Sequence, residues 1–408
     1  MFSPLPMITV DQALTIVLER VEPLGAEPIE LEDALGRVLM EDVYADIDLP
    51  PFDRARMDGY AVRSSDVTAA PVTLRVIGEI AAGASFTGQL KAGEAVKIFT
   101  GAPVPAGADA VQKIEVTEAS DHTVEIKEPV KPGQFITAHA SEISRGERVL
   151  KSKTVIGSAQ MAVLASFGYS NVKVSRRPSV AVLSTGSELV PVSIKPTGAQ
   201  IRNSNSYSLA SYAELAGAQA EVLPTVGDTP RATREALLAA AENRDLVITS
   251  GGVSMGDYDL VEAALLELGA EIFFNKVRIR PGKPIVFARR GDTWFFCLPG
   301  NPVSTSVTFN VFVKPVIRRM LGYAEAREPT SQAKLVHPLT DVSNRRSYLP
   351  ARLSIEGGRA VVEPLKWGGS SDLVAFVNAN ALIIVAEDVH EIAEGRMVDV
   401  LKIGDCLA

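Results

Sequence analysis

The sequence predicts a multidomain protein with a central α/β unit, a mostly parallel sheet, and β-rich units on either side. Three observations lead there. At 408 residues the chain exceeds what one hydrophobic core serves, so roughly two to four domains are expected. Residues 179–322 alternate β-prone and helix-prone runs, as βα units do. Residues 71–140 and 330–408 instead consist of short β-prone runs broken by Gly and Pro.

Taken in order, residues 9–24 carry a helix. Thr9 and Gln12 stand at capping-box spacing, and Ala13, Ile16, Val17 and Val21 recur at helical intervals. A second short helix is expected at 32–40. LPPFDRARMDGYAVRSSD (49–66) reads as a loop crowded with functional side chains. An inserted all-β domain then spans 46–140. Within 155–175, GSAQMAVLASFG and NVKVS return to a helix and a strand. These can pack back on the N-terminal helices, which makes the first domain discontinuous (1–45 and 141–177).

In the α/β unit (178–327), strands are expected at SVAVLS, AEVLPTV, DLVITS, EIFFNKVRI, PIVFAR and WFFCL. Helices fall at SYSLASYAELAG, PRATREALLAAAEN, DLVEAALLELG and VSTSVTFNVFVKPVIRRML. Ligands of such a unit gather at the carboxyl ends of its strands. Residues 328–408 form a small β-domain. No internal repeat or low-complexity tract is present.

Composition narrows the function. Hydrophobic residues are 46% and charged residues 22%, ordinary for a globular protein. The net charge of −8 argues against nucleic-acid binding, so an anionic substrate needs a local basic patch. No apolar run approaches a membrane span, and MFSPLPMITVDQ has no secretory signature, which points to a cytoplasmic enzyme. Cys297 and Cys406 make no disulfide framework. His122, His139, His337 and His390 are scattered, against a protein-built zinc or iron–sulfur centre.

The organising stretch is DLVITSGGVSMGDYDLVEAAL (245–265). A buried strand leads into Ser250, Gly251 and Gly252, and a helix starts after Asp259. Strand, glycine loop and helix N-terminus make an anion site. The carboxylates Asp257 and Asp259 would repel a bare phosphate, so a divalent cation between them is implied. STGSEL (184–189), VGDTP (226–230), SGGVSMGDYD (250–259) and LPGNP (298–302) each follow a predicted strand and share one sheet edge. Glu188, Asp228, Asp257 and Asp259 are thereby collected, and hard oxygen ligands favour Mg²⁺. Helix capping by Asp228 and Asp259 is the plainer alternative.

KVRIRPGKP (276–284) supplies cations. If 276–280 is a strand, Lys276, Arg278 and Arg280 share one face, with Lys283 just beyond the turn. A solvated edge strand would read the same way. In RMDGYAV (56–62), Gly59 permits an unusual backbone angle that aims Asp58; a plain Asp-Gly turn is the alternative. Thr100 sits in a comparable exposed turn. Ser184, Thr185, Ser250 and Ser254 read as ligand hydrogen-bond donors, since no Ser-His-Asp or Cys-His order accompanies them. GxGxxG and GxxxxGK[ST] are both absent, against a standard dinucleotide fold or P-loop.

Together these motifs resemble the MoeA family of molybdenum insertases. The resemblance rests on PPFDRARMDGYAV (50–62), KIFTGAPVPAGADAV (97–111), STGSELV (184–190), GAQIRNSN (198–205), SGGVSMGDYD (250–259), RPGKP (280–284) and LPGNPVS (298–304), in that order. YLPARL and SSDL…ANALI extend it into 330–408. The resemblance implies four domains, with the α/β unit a molybdopterin-binding-like domain, and a homodimer paired through the discontinuous N-terminal domain. It also implies the final step of molybdenum cofactor biosynthesis. Adenylylated molybdopterin and molybdate give the cofactor and AMP, with Mg²⁺.

The resemblance further implies that Asp228, Asp259 and Glu188 serve the metal and that Asp58 and Thr100 act from the partner subunit. Lys276 and Arg280 match the family's basic pair. Substrate contacts are expected from Ser250, Gly251, Gly252, Ser254, Asp257, Arg278, Lys283, Pro299, Gly300 and Pro302, with Arg352 and Ser371 as oxyanion contacts. Protein partners would be the molybdopterin adenylyltransferase and molybdoenzymes. Four departures stand out: Arg54-Ala55-Arg56 replaces the usual NSA, Ser187 replaces an Asp, Glu142 stands where Asp is common, and Arg280 replaces a frequent Lys. A related adenylyltransferase and a peptide-binding dimeric scaffold are the competing functions.

Overall fold

The computed structural model describes residues 5–252, 260–340 and 343–404. Its centre is a six-stranded sheet ordered Gln219–Val222, Ser179–Ser184, Leu246–Ser250, Thr293–Leu298, Pro284–Arg290, Glu271–Lys276. The first four strands run parallel and the last two are antiparallel additions. Side chains alternate between two cores, as the pleat requires. Val180, Val182, Leu246, Ile248 and Phe296 face one core, while Ala181, Leu183, Val247, Phe295 and Cys297 face the other. The multidomain α/β-plus-β reading is therefore correct. Each strand and helix expected in this unit has a counterpart, although the AEVLPTV strand stops at Val222 and EIFFNKVRI divides after Lys276.

The helix expected over 303–321 is widened to a π-turn at Phe309–Val313. Pro315, two residues on, has no N–H to give, so the regular ladder cannot pass through it.

Helix Val10–Arg20 carries the expected capping box, with Gln12 N donating to Thr9 Oγ1 and Thr9 N donating to Gln12 Oε1. It packs on the central core through Val10, Ala13, Leu14 and Val17. The segment 155–175 packs elsewhere. Strand Asn171–Ser175 pairs with Ala26–Glu30, and Ile156, Leu164 and Val172 share a core with Ala34, Leu39 and Val43. The helix expected at 32–40 is absent beyond a single 3₁₀ turn, Leu31–Asp33. Gly36 takes φ +77°, and Val38 and Leu39 bridge to Val155 and Val174, so the segment is extended.

The inserted sheet is ordered Ala110–Lys113, Gly59–Val62, Glu94–Ile98, Val72–Ile80, Thr123–Ile126, Thr117–Ser120. Gly59–Val62 corrects the loop reading of 49–66: it is a wholly buried strand inside the sheet. A strand buried on both faces shows no polar alternation, which hid it. At the C-terminus five strands close on themselves, because Arg346–Glu356 pairs with both Arg359–Pro364 and Ala381–Val385. The short strand Ile279–Arg280, from the central unit, adds to this barrel beside Arg346 and Ser347. No helix among the described residues is long and apolar enough to cross a membrane.

Candidate functional site

Because the four leading strands are parallel, the loops after Ser184, Val222, Ser250 and Leu298 emerge at one edge. Backbone bonds knit them: Thr185 N donates to Ser250 O (3.0 Å), Gly186 N to Val226 O (3.1 Å) and Gly251 N to Leu298 O (3.1 Å). Gly251 and Gly252 have φ of +93° and +68°. A Cβ on Gly251 would lie 2.5 Å from Thr185 O, and one on Gly252 would lie 2.8 Å from Thr185 Oγ1. Both the angle and the close approach therefore demand glycine.

The hydroxyls expected as ligand donors divide. Ser250 Oγ accepts from Asn205 Nδ2 (2.8 Å), which also donates to Gly300 O (2.7 Å). Ser184 Oγ is engaged with Ser206 Oγ (2.7 Å). These two hydroxyls brace the loops. Thr185 Oγ1 is buried beneath the glycine turn, with no partner among the described residues. Ser254, Asp257 and Asp259 lie outside the described residues.

Asp228 does not cap the helix that follows it. Thr229 caps it, accepting from Ala232 N (3.3 Å). Asp228 instead accepts from Ser187 N (2.8 Å), and Asp228 N donates to Ser187 Oγ (3.1 Å), which clasps two loops. Glu188 is exposed and lines the cleft. Among the described residues no three His, Cys, Asp or Glu side chains converge as a metal cage.

The basic stretch is not one strand. The sheet strand ends at Lys276, and Ile279–Arg280 enters the barrel sheet, so the shared face expected for 276–280 is interrupted. Arg278 pairs with Glu387 (3.4 Å). Lys276 is half-buried and is not among the residues lining the cleft. Arg280 and Lys283 do line it. Gly282, with φ +103°, lets the turn rest on Thr308, whose Cγ2 would sit 2.4 Å from an added Cβ.

These parts bound a cleft with two lobes. The larger, about 850 Å³, is lined by Gly251, Gly252, Arg280, Lys283, Pro299, Gly300, Ser304, Arg345 and the Trp367–Ser370 turn. The smaller, about 350 Å³, is lined by Thr185, Glu188, Arg202, Asn205, Ser250, Pro302 and Ser371. Gly251, Gly300 and Asn301 border both. Asn301 joins the sheet edge to the C-terminal barrel, with Nδ2 donating to Ser370 Oγ (2.8 Å) and Oδ1 accepting from Ser371 Oγ (3.2 Å).

Sequence reasoning missed Arg345, Trp367 and Ser370. Arg352, named in their stead, lines a separate cavity of about 310 Å³ on the barrel with Glu356 and Glu363. The positive run Arg345-Arg346 was the available signal. The fold separates the two side chains: Arg346 pairs bidentately with Asp11 (2.9 and 2.8 Å), and Arg345 lines the cleft.

Asp58 and Thr100 meet on the inserted sheet and line neither lobe. Asp58 Oδ1 accepts from Thr100 N and Oγ1, both at 2.7 Å. The backbone N–H, then the hydroxyl, hold the exposed Asp58 carboxyl below the usual carboxylate range. Gly59 has no left-handed angle, contrary to expectation. It is required because a Cβ would lie 1.9 Å from Gln112 O across the sheet.

Comparisons with known proteins cover nearly the whole chain. Residues 8–168 match the MoeA N-terminal region (domains I and II), 181–319 the probable molybdopterin-binding domain, and 332–403 the MoeA C-terminal region (domain IV). A molybdopterin molybdenumtransferase of Nostoc sp. is 37% identical, covering 98% of this chain and 94% of that protein. One from Staphylococcus aureus is 34% identical, covering 98% and 96%. The crystal structure of the molybdopterin biosynthesis MoeA protein from Pyrococcus horikoshii superposes with a TM-score of 0.83 at 33% identity, covering 98% of this chain and all of that one. The order of these three regions, their near-complete coverage and the shared fold together make this chain a member of the MoeA family.

Proposed function

We propose that this chain is a molybdopterin molybdenumtransferase that joins molybdate to adenylylated molybdopterin and releases AMP. The observation carrying this reading is the two-lobed cleft: Arg280, Lys283 and Arg345 line one lobe, Glu188 the other, and the Gly251–Gly252 turn borders both. Molybdate is a doubly charged oxyanion, and fork-shaped guanidinium donors suit its oxygens. The backbone at the glycine turn can approach a phosphoanhydride closely. The accepting sulfurs belong to the substrate, so a cysteine-poor protein suffices.

The donor set at the sheet edge fits Mg²⁺. Glu188 and Asp228 offer hard oxygens, and Mg²⁺ takes one or two carboxylates together with substrate phosphates and water. These residues, with Asp259, would hold it, and when bound it neutralises phosphoanhydride charge. Asp58 and Thr100 line neither lobe of their own chain, which supports a homodimer in which they reach the partner's cleft. The protein works in the cytoplasm, receives substrate from a molybdopterin adenylyltransferase and passes product to molybdoenzymes.

The test incubates purified protein with adenylylated molybdopterin, molybdate and Mg²⁺, and follows AMP and metal-loaded cofactor together. Both are expected, both stop on chelation, and both return with added Mg²⁺. Adenylylation of molybdopterin from ATP, with no AMP release, would assign the chain to a different reaction.

A further inference from the structure

Trp367 is the one aromatic side chain among the described residues lining the larger lobe. It is half-buried and packs against both the central core and the barrel core, so the side chain is supported from behind. The backbone around it is also held. Leu365 N donates to Pro350 O (3.0 Å), and Gly368 N donates to Asp372 Oδ2 (2.8 Å). Elsewhere the lobe wall is largely glycine and proline with the cations Arg280, Lys283 and Arg345. A slot of bare backbone, one π face and a cationic end suits a flat heteroaromatic ring joined to an anion.

We propose that Trp367 is the platform on which the pterin ring of the substrate stacks, making it a specificity-determining binding residue; this rests on the transferase function above. The ring is assigned as pterin by connectivity. In molybdopterin the sulfurs that take the metal are fused to the pterin through a pyran ring. Oxyanion and pterin must therefore enter the same cavity, and Trp367 shares its lobe with the cations. The smaller lobe, beside Glu188, is lined by no aromatic side chain among the described residues and receives the adenylate.

Intrinsic fluorescence tests this directly, because the chain has only 2 Trp. The other, Trp294, is 6% exposed and stacked on Phe287 at 5.1 Å. Pterin-6-carboxylate is expected to quench wild-type emission saturably after absorbance correction, and AMP is not. In Trp367→Phe, where only Trp294 emits, that quenching disappears. Trp367→Leu keeps apolar volume without a π face. At unchanged melting temperature it should raise KM for adenylylated molybdopterin roughly ten- to a hundredfold, the loss of one stacked ring, with kcat little altered. Trp367→Phe should restore KM to within about threefold of wild type.

Emission that ignores pterin, or responds to AMP instead, overturns the assignment. Turnover by Trp367→Leu at wild-type KM removes the platform and leaves the transferase standing. Saturable pterin quenching in a protein that releases no AMP removes the transferase function and leaves the pterin-binding face.

Discussion

Two arginines in one short stretch, Arg345 and Arg352, fare differently because strand register separates them. Arg352 lies opposite Glu363 in the barrel, whereas Arg345 precedes the strand and lines the cleft. Arg345→Ala should raise KM for molybdate at least about tenfold, the scale of one charge-assisted hydrogen bond. Arg352→Ala should stay within about twofold. Equal effects would reverse the assignment. At Asp58 the sign is equally definite. Its folded pKa is depressed, so the bond with Thr100 stabilises above the ordinary carboxylate range and is lost as pH falls through the folded value. Thr100→Val should move the Asp58 carboxyl midpoint upward in a ¹³C titration; identical midpoints would show that Thr100 does not hold it. Gly252→Ala adds a Cβ into Val261 and Thr185 at φ +68°, and should cost about 1–3 kcal/mol in denaturant titration. At this scale residue type was readable from the sequence and contact was not. A glycine's purpose is the clearest case, since Gly59 serves Gln112 across the sheet and not a turn.

Among elements, the central α/β strands could be read from the sequence because Ser179–Ser184, Leu246–Ser250, Pro284–Arg290 and Thr293–Leu298 are short, largely apolar runs between turn signals, and these stand where expected. What escaped were segments whose partners lie far off in sequence. Val38 and Leu39 pair with Val155 and Val174, a tertiary pairing that overrides local helical spacing. Gly59–Val62 is buried on both faces and so carries no alternation. The basic stretch was read as one strand, but Ile279–Arg280 leaves for the barrel. Asn301 is the corresponding tie on the other side of the cleft. Asn301→Ala should speed amide exchange across 367–371 while central-sheet amides stay protected. Unchanged exchange there would mean the turn is held by other bonds.

For the whole molecule, the parallel order of four strands is what gathers distant loops, and that followed from the βα alternation. The position of the Asp58–Thr100 pair did not, since an inserted sheet can face its own cleft or a neighbour's. Mixing experiments decide it. If the pair serves a partner's cleft, inactive Asp58→Ala and inactive Glu188→Ala chains, randomly reassociated, should regain about a quarter of wild-type activity through unmutated composite sites. No recovery, despite demonstrated exchange of chains, would place all groups in one subunit.

The two-residue strand Ile279–Arg280 has a broader consequence. Since the cationic turn hydrogen-bonds into the barrel's edge and also hangs from the central sheet, a tilt of the barrel must drag Arg280 with it, changing the gap the oxyanion enters. Grafting a relative's residues 330–404 onto this chain would then reset oxyanion discrimination unless the donor's counterpart of strand Arg346–Glu356 accepted the same two-residue docking.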